Sequence, residues 1–356
     1  MGESIWRKAM NRTLLITGVA GFIGSHLAQA ALKCGYKVRG VDDFSTGLDE
    51  NIAAFRDQIQ LFRGSVTDQE VLHRACQGVD CVLHHAAVVS VPISMEDPPK
   101  NDTVNVAGTL KVLMAARDAG VRRVVFASSS SVYGEPAEFP IREVVPVDPL
   151  SPYAVSKAAG ELYMRMFSHS FGVETVCLRY FNVFGPKQDP SSGYSGVLAR
   201  FTMQMLREQQ PTIFGDGEQT RDFTFVEDIT RANLLACGAP AEKVNRRTFN
   251  VATGRATSLN QIYSTLQRIT GYARPAAYAE ARRADIRHSV ADVSAVQDAL
   301  GFRAMVSLED GLRRTAAWYS GQLRPRSAWQ PGMHPAMEVP VPVAGSPAET
   351  ARVAAI

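Results

Sequence analysis

The spacing Gly18-x-x-Gly21-x-x-Gly24, set directly after the apolar run Leu14-Leu15-Ile16, constrains this chain more than any other feature. Glycines at this spacing suit a strand that feeds a helix through a tight turn. The first permits the turn, the second lets the backbone approach a pyrophosphate, and the third lets the helix pack close to the sheet. Helical periodicity follows from Ser25 to Lys33 and stops at Gly35; a second strand over residues 36–43 then ends in acid. The alternation continues with strands at 59–63, 81–85, 123–128 and 174–179, and helices from Gln69, over 103–119 and over 153–171. This pattern predicts an α/β fold, a doubly wound parallel sheet.

Past Asn182 the texture changes to loop-forming residues and shorter elements. We expect residues 12–182 to form a nucleotide-binding domain, with 223–256 returning to its sheet. Residues 183–222 and 257–322 would form a smaller C-terminal substrate-binding lobe. Residues 323–356 are rich in Pro, Ala and Ser without periodicity and read as a mobile tail, dispensable for chemistry.

Lys plus Arg number 38 against 35 for Asp plus Glu, too even a balance to imply a nucleic-acid or anionic-membrane partner. The five cysteines are dispersed, with no CxxC pair and no His spaced to complete a zinc set, so no metal is expected and a reducing compartment suits them. The first residues lack the apolar core of a signal peptide, and no uncharged apolar run reaches the roughly 18 residues of a membrane span. A cytoplasmic protein is expected.

Asp42 ends the second strand about 20 residues beyond the glycine turn, where a carboxylate takes the adenosine ribose hydroxyls. A carboxylate there repels a 2′-phosphate, which favours NAD over NADP. The plain alternative is an exposed strand-end acid. His84 and His85 read as satisfied strand-end histidines, and neither is assigned to catalysis.

Tyr153-x-x-x-Lys157 opens a helix, and one helical turn places both side chains on the same face. Free tyrosine titrates near 10, too high for a base at neutral pH. The Lys157 ammonium, a positive nicotinamide ring and the helix N-terminus are all expected to lower it. Upstream, Ser128-Ser129-Ser130-Ser131 lies at the carboxyl end of a strand, where open α/β sheets place ligands. We read Ser128 as capping backbone groups and Ser129 as the proton relay.

The motif order TGxxGFIGSH, DDFSTG, HHAA, SSSSVYG, SPYAVSK, LRYFNVFGP and TRDFTFVEDI resembles the nucleotide-sugar 4-epimerase branch of the extended short-chain dehydrogenase/reductase superfamily. The resemblance covers residues 12–320 and is greatest to the UDP-N-acetylglucosamine 4-epimerases. It implies a Rossmann-like sheet holding NAD through Gly18, Gly21, Phe22, Ile23, Gly24, Asp42, Asp43, Phe44, Ser45, Thr46, Gly47, Val66, Asp68, Ala86 and Ala87, with Tyr153 and Lys157. Asp68 would lie near the adenine amino group, and Ala86 and Ala87 would run along the cofactor. It further implies that Tyr153 takes the proton of the sugar 4-hydroxyl while hydride leaves C4 for NAD. The 4-keto sugar then turns and receives hydride on its other face, so the cofactor is held tightly. Helices 102–119 and 153–171 would pair into a homodimer.

Particular positions narrow the substrate. Dehydratases of this group carry Asp-Glu where this chain has Ser130 and Ser131, and the decarboxylases carry Glu at the latter. Plant-like uronate 4-epimerases carry Thr in place of Asn182 and Arg in place of Asp189. By the same resemblance Ser129, Ser130 and Asn182 contact the substrate, Arg221 and Arg282 clamp the diphosphate, and Asp285 lies near the nucleoside ribose. Ser289 stands where glucose-restricted epimerases carry a bulky Tyr, which leaves space for a 2-acetamido group. Gly196, in Tyr194-Ser195-Gly196, is small, and Gln188 offers an amide partner. The expectation is UDP-GlcNAc/UDP-GalNAc, with UDP-Glc/UDP-Gal as a second pair. Alternatives are a UDP-N-acetylglucosaminuronate 4-epimerase, with Arg287 or His288 meeting the C6 carboxylate, a sugar reductase, or a non-catalytic NAD-binding module.

Overall fold

Leu14 and Ile16 are buried on one side of the first strand and Leu15 on the other. A strand covered on both faces is a continuous apolar run rather than an alternating one, as the sequence has it. In the computed structural model, which describes residues 12–190, 196–281 and 286–323, this strand is β1 (Thr13–Thr17). It leads to α1 (Phe22–Lys33), β2 (Lys37–Asp42), β3 (Ile59–Arg63), α2 (Gln69–Cys76) and β4 (Cys81–His84). Then follow α3 (Gly108–Asp118), β5 (Arg123–Ser129), α4 (Pro152–Phe171), β6 (Glu174–Tyr180), α5 (Val226–Gly238) and β7 (Arg247–Val251).

These strands form one seven-stranded parallel sheet in the order β7-β6-β5-β4-β1-β2-β3. The fold is thus the doubly wound, Rossmann-like α/β class. Strand order reverses between β1 and β4, and open sheets bind ligands at the carboxyl ends beside such a switch point. The expected helix over 103–119 divides into a π-helical turn, Thr103–Ala107, and α3. In the returning segment, Thr224–Phe225 pairs with Val183–Phe184 in a small separate sheet, and β7 alone joins the main sheet, beside β6.

Helices Val197–Leu206, Leu259–Thr270 and Leu308–Leu323 bury Phe201, Leu266 and Leu312 around Phe184 and Phe225. Phe22 and Ile23, in the first turn of α1, pack against this second cluster. Thr220–Arg221 runs between Thr257–Ser258 and His288–Ser289. Arg282, Asp285, Tyr194, Ser195 and residues 324–356 of the expected tail lie outside the described residues. No helix among the described residues is long and apolar enough to cross a membrane.

The sequence defines α4 at both ends. Ser151 caps it by accepting from the Ala154 N–H at 3.2 Å, Pro152 opens it, and Gly172 closes it in the left-handed conformation at φ 72°. Gly160 lets it lie close to β5, since a Cβ there would stand 2.5 Å from Phe126 Cζ. Alanine is the better helix former by about 1 kcal/mol. Overpacking against a buried ring costs about 1–3 kcal/mol. Gly160→Ala is therefore expected to lose about 1 kcal/mol net, read as a lower urea midpoint at unchanged slope.

Candidate active site

The glycine turn is closed by backbone contacts that side chains would block. Gly18 has φ 73°, and a Cβ on it would lie 2.9 Å from the Ala86 nitrogen. A Cβ on Gly24 would overlap the Gly18 carbonyl. The turn is held by Gly18 N–H donating to Val41 O at 2.8 Å and Gly21 N–H to Gly18 O at 3.1 Å. Asp42, the last residue of β2, is buried and accepts from the N–H groups of Ala20 at 2.8 Å and Phe44 at 2.9 Å. Burial pushes its carboxyl up, and those N–H groups oppose the shift. Gly47 lies against the same carboxylate, where a Cβ would stand 2.7 Å from Oδ1.

Around this cradle Asp43, Ser45 and Thr46 are exposed, and Phe44 lies under the Arg63 guanidinium, 3.9 Å from its ring centre. Val66 is buried against Gly108, and Ala86 and Ala87 are half-buried beyond β4. Asp68 caps α2, accepting from the Glu70 and Val71 N–H groups. The glycine cradle, a helix N-terminus and a carboxylate at the end of β2 fit an NAD dinucleotide, with anion at the turn and ribose at Asp42.

Tyr153 and Lys157 occupy the first two turns of α4. The N–H of Tyr153 donates to Ser94 Oγ at 3.1 Å, and Asn101 Nδ2 donates to Pro152 O at 3.0 Å. Asn105, in the π-helical turn, donates to Ser156 Oγ at 3.0 Å and accepts from the Val88 N–H at 2.7 Å. The sequence reading missed these three residues, although a π turn is itself a frequent companion of functional sites. Lys157 is 4% exposed; its Nζ donates to Ala127 O at 2.8 Å and stands 5.7 Å from the Tyr153 ring centre. Ser129, the last residue of β5, accepts from the Ser131 N–H at 3.1 Å and hydrogen-bonds Tyr153. Ser130 is half-buried, and Ser131 Oγ is buried without a partner among the described residues.

Burial pushes Lys157 down to about 8. Burial also pushes Tyr153 up, with the Ser129 hydroxyl opposing. For the chain alone burial sets the direction, whereas the expected lowering counts a positive nicotinamide ring beside the phenol together with Lys157 and the helix terminus. The Lys157 ammonium directs its hydrogen bond to Ala127. His84 is satisfied as expected, by Thr17 Oγ1 at 2.7 Å and Thr109 Oγ1 at 3.0 Å, while His85 Nε2 meets the Tyr180 hydroxyl at 2.9 Å and its Nδ1 has no partner among the described residues. Burial holds both imidazoles neutral, near 3.

On the substrate side, Ser289 is buried and pairs in register with Arg221. Arg221 donates to Thr220 O at 2.8 Å. Between these strands and β7, buried Asp222 accepts from Thr253 N–H at 2.9 Å, Thr253 Oγ1 at 2.6 Å and Gly254 N–H at 2.8 Å. Asn182 is exposed, its Nδ2 3.4 Å from Asp222 O. Gln188 Oε1 is buried without a partner among the described residues, and a Cβ on Gly196 would stand 3.1 Å from its Nε2. Arg287 is engaged by both oxygens of Asp216, at 2.7 and 2.8 Å, and His288 meets Thr220 Oγ1 at 3.0 Å.

With this geometry in place, comparison with known proteins is decisive. Residues 14–252 match the NAD dependent epimerase/dehydratase family. The chain belongs to that family. It is 38% identical over 309 residues to the UDP-glucose 4-epimerase of Mycolicibacterium smegmatis, covering 86% of this chain and 97% of that protein. A UDP-glucose 4-epimerase of Thermotoga maritima, solved with UDP-glucose, superposes with a TM-score of 0.83 at 38% identity, covering 88% of this chain and all (100%) of that one. A UDP-N-acetylglucosamine 4-epimerase of Methanobrevibacter ruminantium, solved with UDP-N-acetylmuramic acid, gives 0.84 at 35% identity, covering 88% and 100%. The protein is an NAD-dependent enzyme of the nucleotide-sugar epimerase type.

The lowered Lys157 value carries a stability consequence. Between about 8 and the ordinary lysine value of 10.5, the unfolded chain keeps a proton that the folded chain has released. Stability therefore rises with pH through that window, and the cost of holding the charge is fully present below it. In dinucleotide-free protein, Lys157→Met is expected to be at least as stable as wild type at pH 7 and to lack this rise, a difference of up to about 3 kcal/mol. Urea denaturation of both proteins across pH 7 to 10.5 checks it.

Proposed function

We propose that the enzyme interconverts the 4-epimers of a UDP-sugar, with UDP-GlcNAc/UDP-GalNAc as the preferred pair. The observation that carries the reaction is the meeting of Ser129, Tyr153 and Lys157 at the carboxyl end of β5, beside the switch point and its glycine turn. NAD, when bound, accepts hydride from the sugar C4 and returns it. Tyr153 takes the proton of the 4-hydroxyl and later restores it, with Ser129 relaying and Lys157 supplying positive charge. The reading places NAD on residues 12–182 with 223–256, and the sugar nucleotide on 183–222 and 257–322.

Within that lobe the proposal gives the diphosphate to Arg221 and Asn182, with Arg282 and the Asp285 ribose contact carried over from the family pattern. Ser129 and Ser130 face the sugar. The acetamido preference is supported by small Ser289 beside Arg221, small Gly196 against Gln188, and the unpaired Gln188 Oε1, which can accept from an acetamido N–H. A uronate substrate is disfavoured because Arg287 is already bidentate to Asp216. Val155, Leu162 and Met166 leave an exposed apolar stripe on α4, and we assign it to a second copy of the chain.

Protein purified without added cofactor is expected to convert UDP-GlcNAc to UDP-GalNAc, followed by anion-exchange chromatography. Turnover of UDP-glucose alone, or of UDP-N-acetylglucosaminuronate alone, overturns the substrate preference and keeps the reaction; turnover of none of the three overturns the epimerase reading. Tyr153→Phe should lower kcat about 100- to 10,000-fold while NAD content is unchanged. Ser289→Tyr should remove UDP-GlcNAc conversion and spare UDP-glucose conversion, as the ratio of their kcat/KM values will report.

A further inference from the structure

Residues 185–188 leave Phe184 and enter the second lobe, and they are fastened by contacts distant in sequence. Lys187 adopts φ 68°, a left-handed conformation that a non-glycine residue holds only where its surroundings over-determine it. Its Nζ donates to the carbonyl of Asn51, 136 positions away, at 2.7 Å. The same ammonium stands 5.6 Å from the Phe55 ring centre. Asn51 is buried, and its Nδ2 donates to Ala20 O at 2.8 Å. The Ala20 N–H in turn donates to the Asp42 carboxylate at 2.8 Å.

The neighbouring residues are fastened as well. Pro186 O pairs at 2.9 Å with Nε2 of His26, on α1 just past the glycine turn. Burial pushes His26 down to about 4, so it is neutral at physiological pH, and the proton lies on Nε2 because a carbonyl can only accept. From the other side, the Tyr319 hydroxyl donates to Gln188 O at 2.6 Å. The segment is strung between the last helix and the two elements that frame the dinucleotide cradle. Three hydrogen bonds, relayed through the bodies of Asn51 and Ala20, link Lys187 to Asp42.

We infer that Lys187 fastens a strap that sets how long the dinucleotide stays bound. The inference rests on the epimerase reading, because an enzyme that returns the hydride within one turnover gains nothing from exchanging its cofactor. Releasing the Lys187 ammonium removes one of the contacts that hold the Asn51 segment against Ala20, and so loosens the backbone beside the Asp42 carboxylate. Glycine would meet the left-handed turn with less strain, so the presence of a lysine points to its ammonium.

The test loads wild type, Lys187→Met and Lys187→Gly with adenylate-labelled NAD, removes free nucleotide, and chases with unlabelled NAD. Loss of a hydrogen bond made by a charged group is expected to speed release about tenfold to a hundredfold in both variants. The glycine variant relieves the backbone strain, so faster release there is not a symptom of misfolding. Wild-type release from Lys187→Gly overturns the inference. Loss of label from wild type during the separation overturns instead the retained-cofactor reading beneath it.

Discussion

Burying the Lys157 ammonium is the constraint to which the rest of the catalytic end conforms. A desolvated ammonium must find acceptors or lose its proton. Here it finds the Ala127 carbonyl and the face of Phe126, 5.0 Å away, and no carboxylate among the described residues pairs with it. That contact needs α4 close to β5, which is why Gly160 stands over Phe126 and why the helix starts at a capped Ser151-Pro152. The surroundings that lower Lys157 also raise Tyr153 and hold His84 neutral. Taken alone, the chain sets a neutral phenol beside a lysine poised to lose its proton. The balance shifts toward phenolate when positive charge arrives next to it.

Legibility in the sequence followed the range of the interactions. The glycine turn, the acid ending β2, the serines ending β5 and the Tyr153/Lys157 pair are set by neighbours within a turn or a strand, so their spacing reveals them. The parallel sheet was readable for a related reason, since strands buried on both faces leave continuous apolar runs. The partners of these motifs were not readable. Asn105 reaches Ser156 across 51 positions and Lys187 reaches Asn51 across 136, and no periodicity connects such pairs. Glu161 is intermediate: one turn beyond Lys157, it accepts from Ser128 Oγ at 2.5 Å and pairs with Arg179 at 2.6 Å. Its place on the helix was visible, but its ion pair on β6 was not. Burial of Tyr153, which raises the phenol in the chain alone, was not visible either, because sequence displays charges and hides desolvation.

The substrate side shows how a small residue can be held as firmly as a large one. The Ser289 side chain makes no hydrogen bond among the described residues; its position comes from the register with Arg221. Arg221 in turn precedes Asp222, whose carboxylate gathers Thr253, Gly254 and, at 3.4 Å, the N–H of Ala291. Ala291 packs with Val132 and Tyr133, directly after the serines of β5. One buried carboxylate therefore ties the Arg221/Ser289 strand pair to the segment that follows Ser129. Burial raises its pKa, and the hydrogen bonds it accepts oppose the shift.

Such a scaffold makes side-chain volume at position 289 an independent variable. Enlarging it closes space without disturbing the backbone register with Arg221, because that register is set by the strands and not by the side chain. The converse is weaker. Space beside a sugar admits an acetamido group but does not reject its absence, since discrimination against a smaller substrate needs a polar group left unpaired by it. Gln188 Oε1, beside Gly196, has that property: buried, an acceptor, and without a partner among the described residues. Under the proposed acetamido reading, preference for the larger sugar resides in Gln188, and tolerance of it in Ser289.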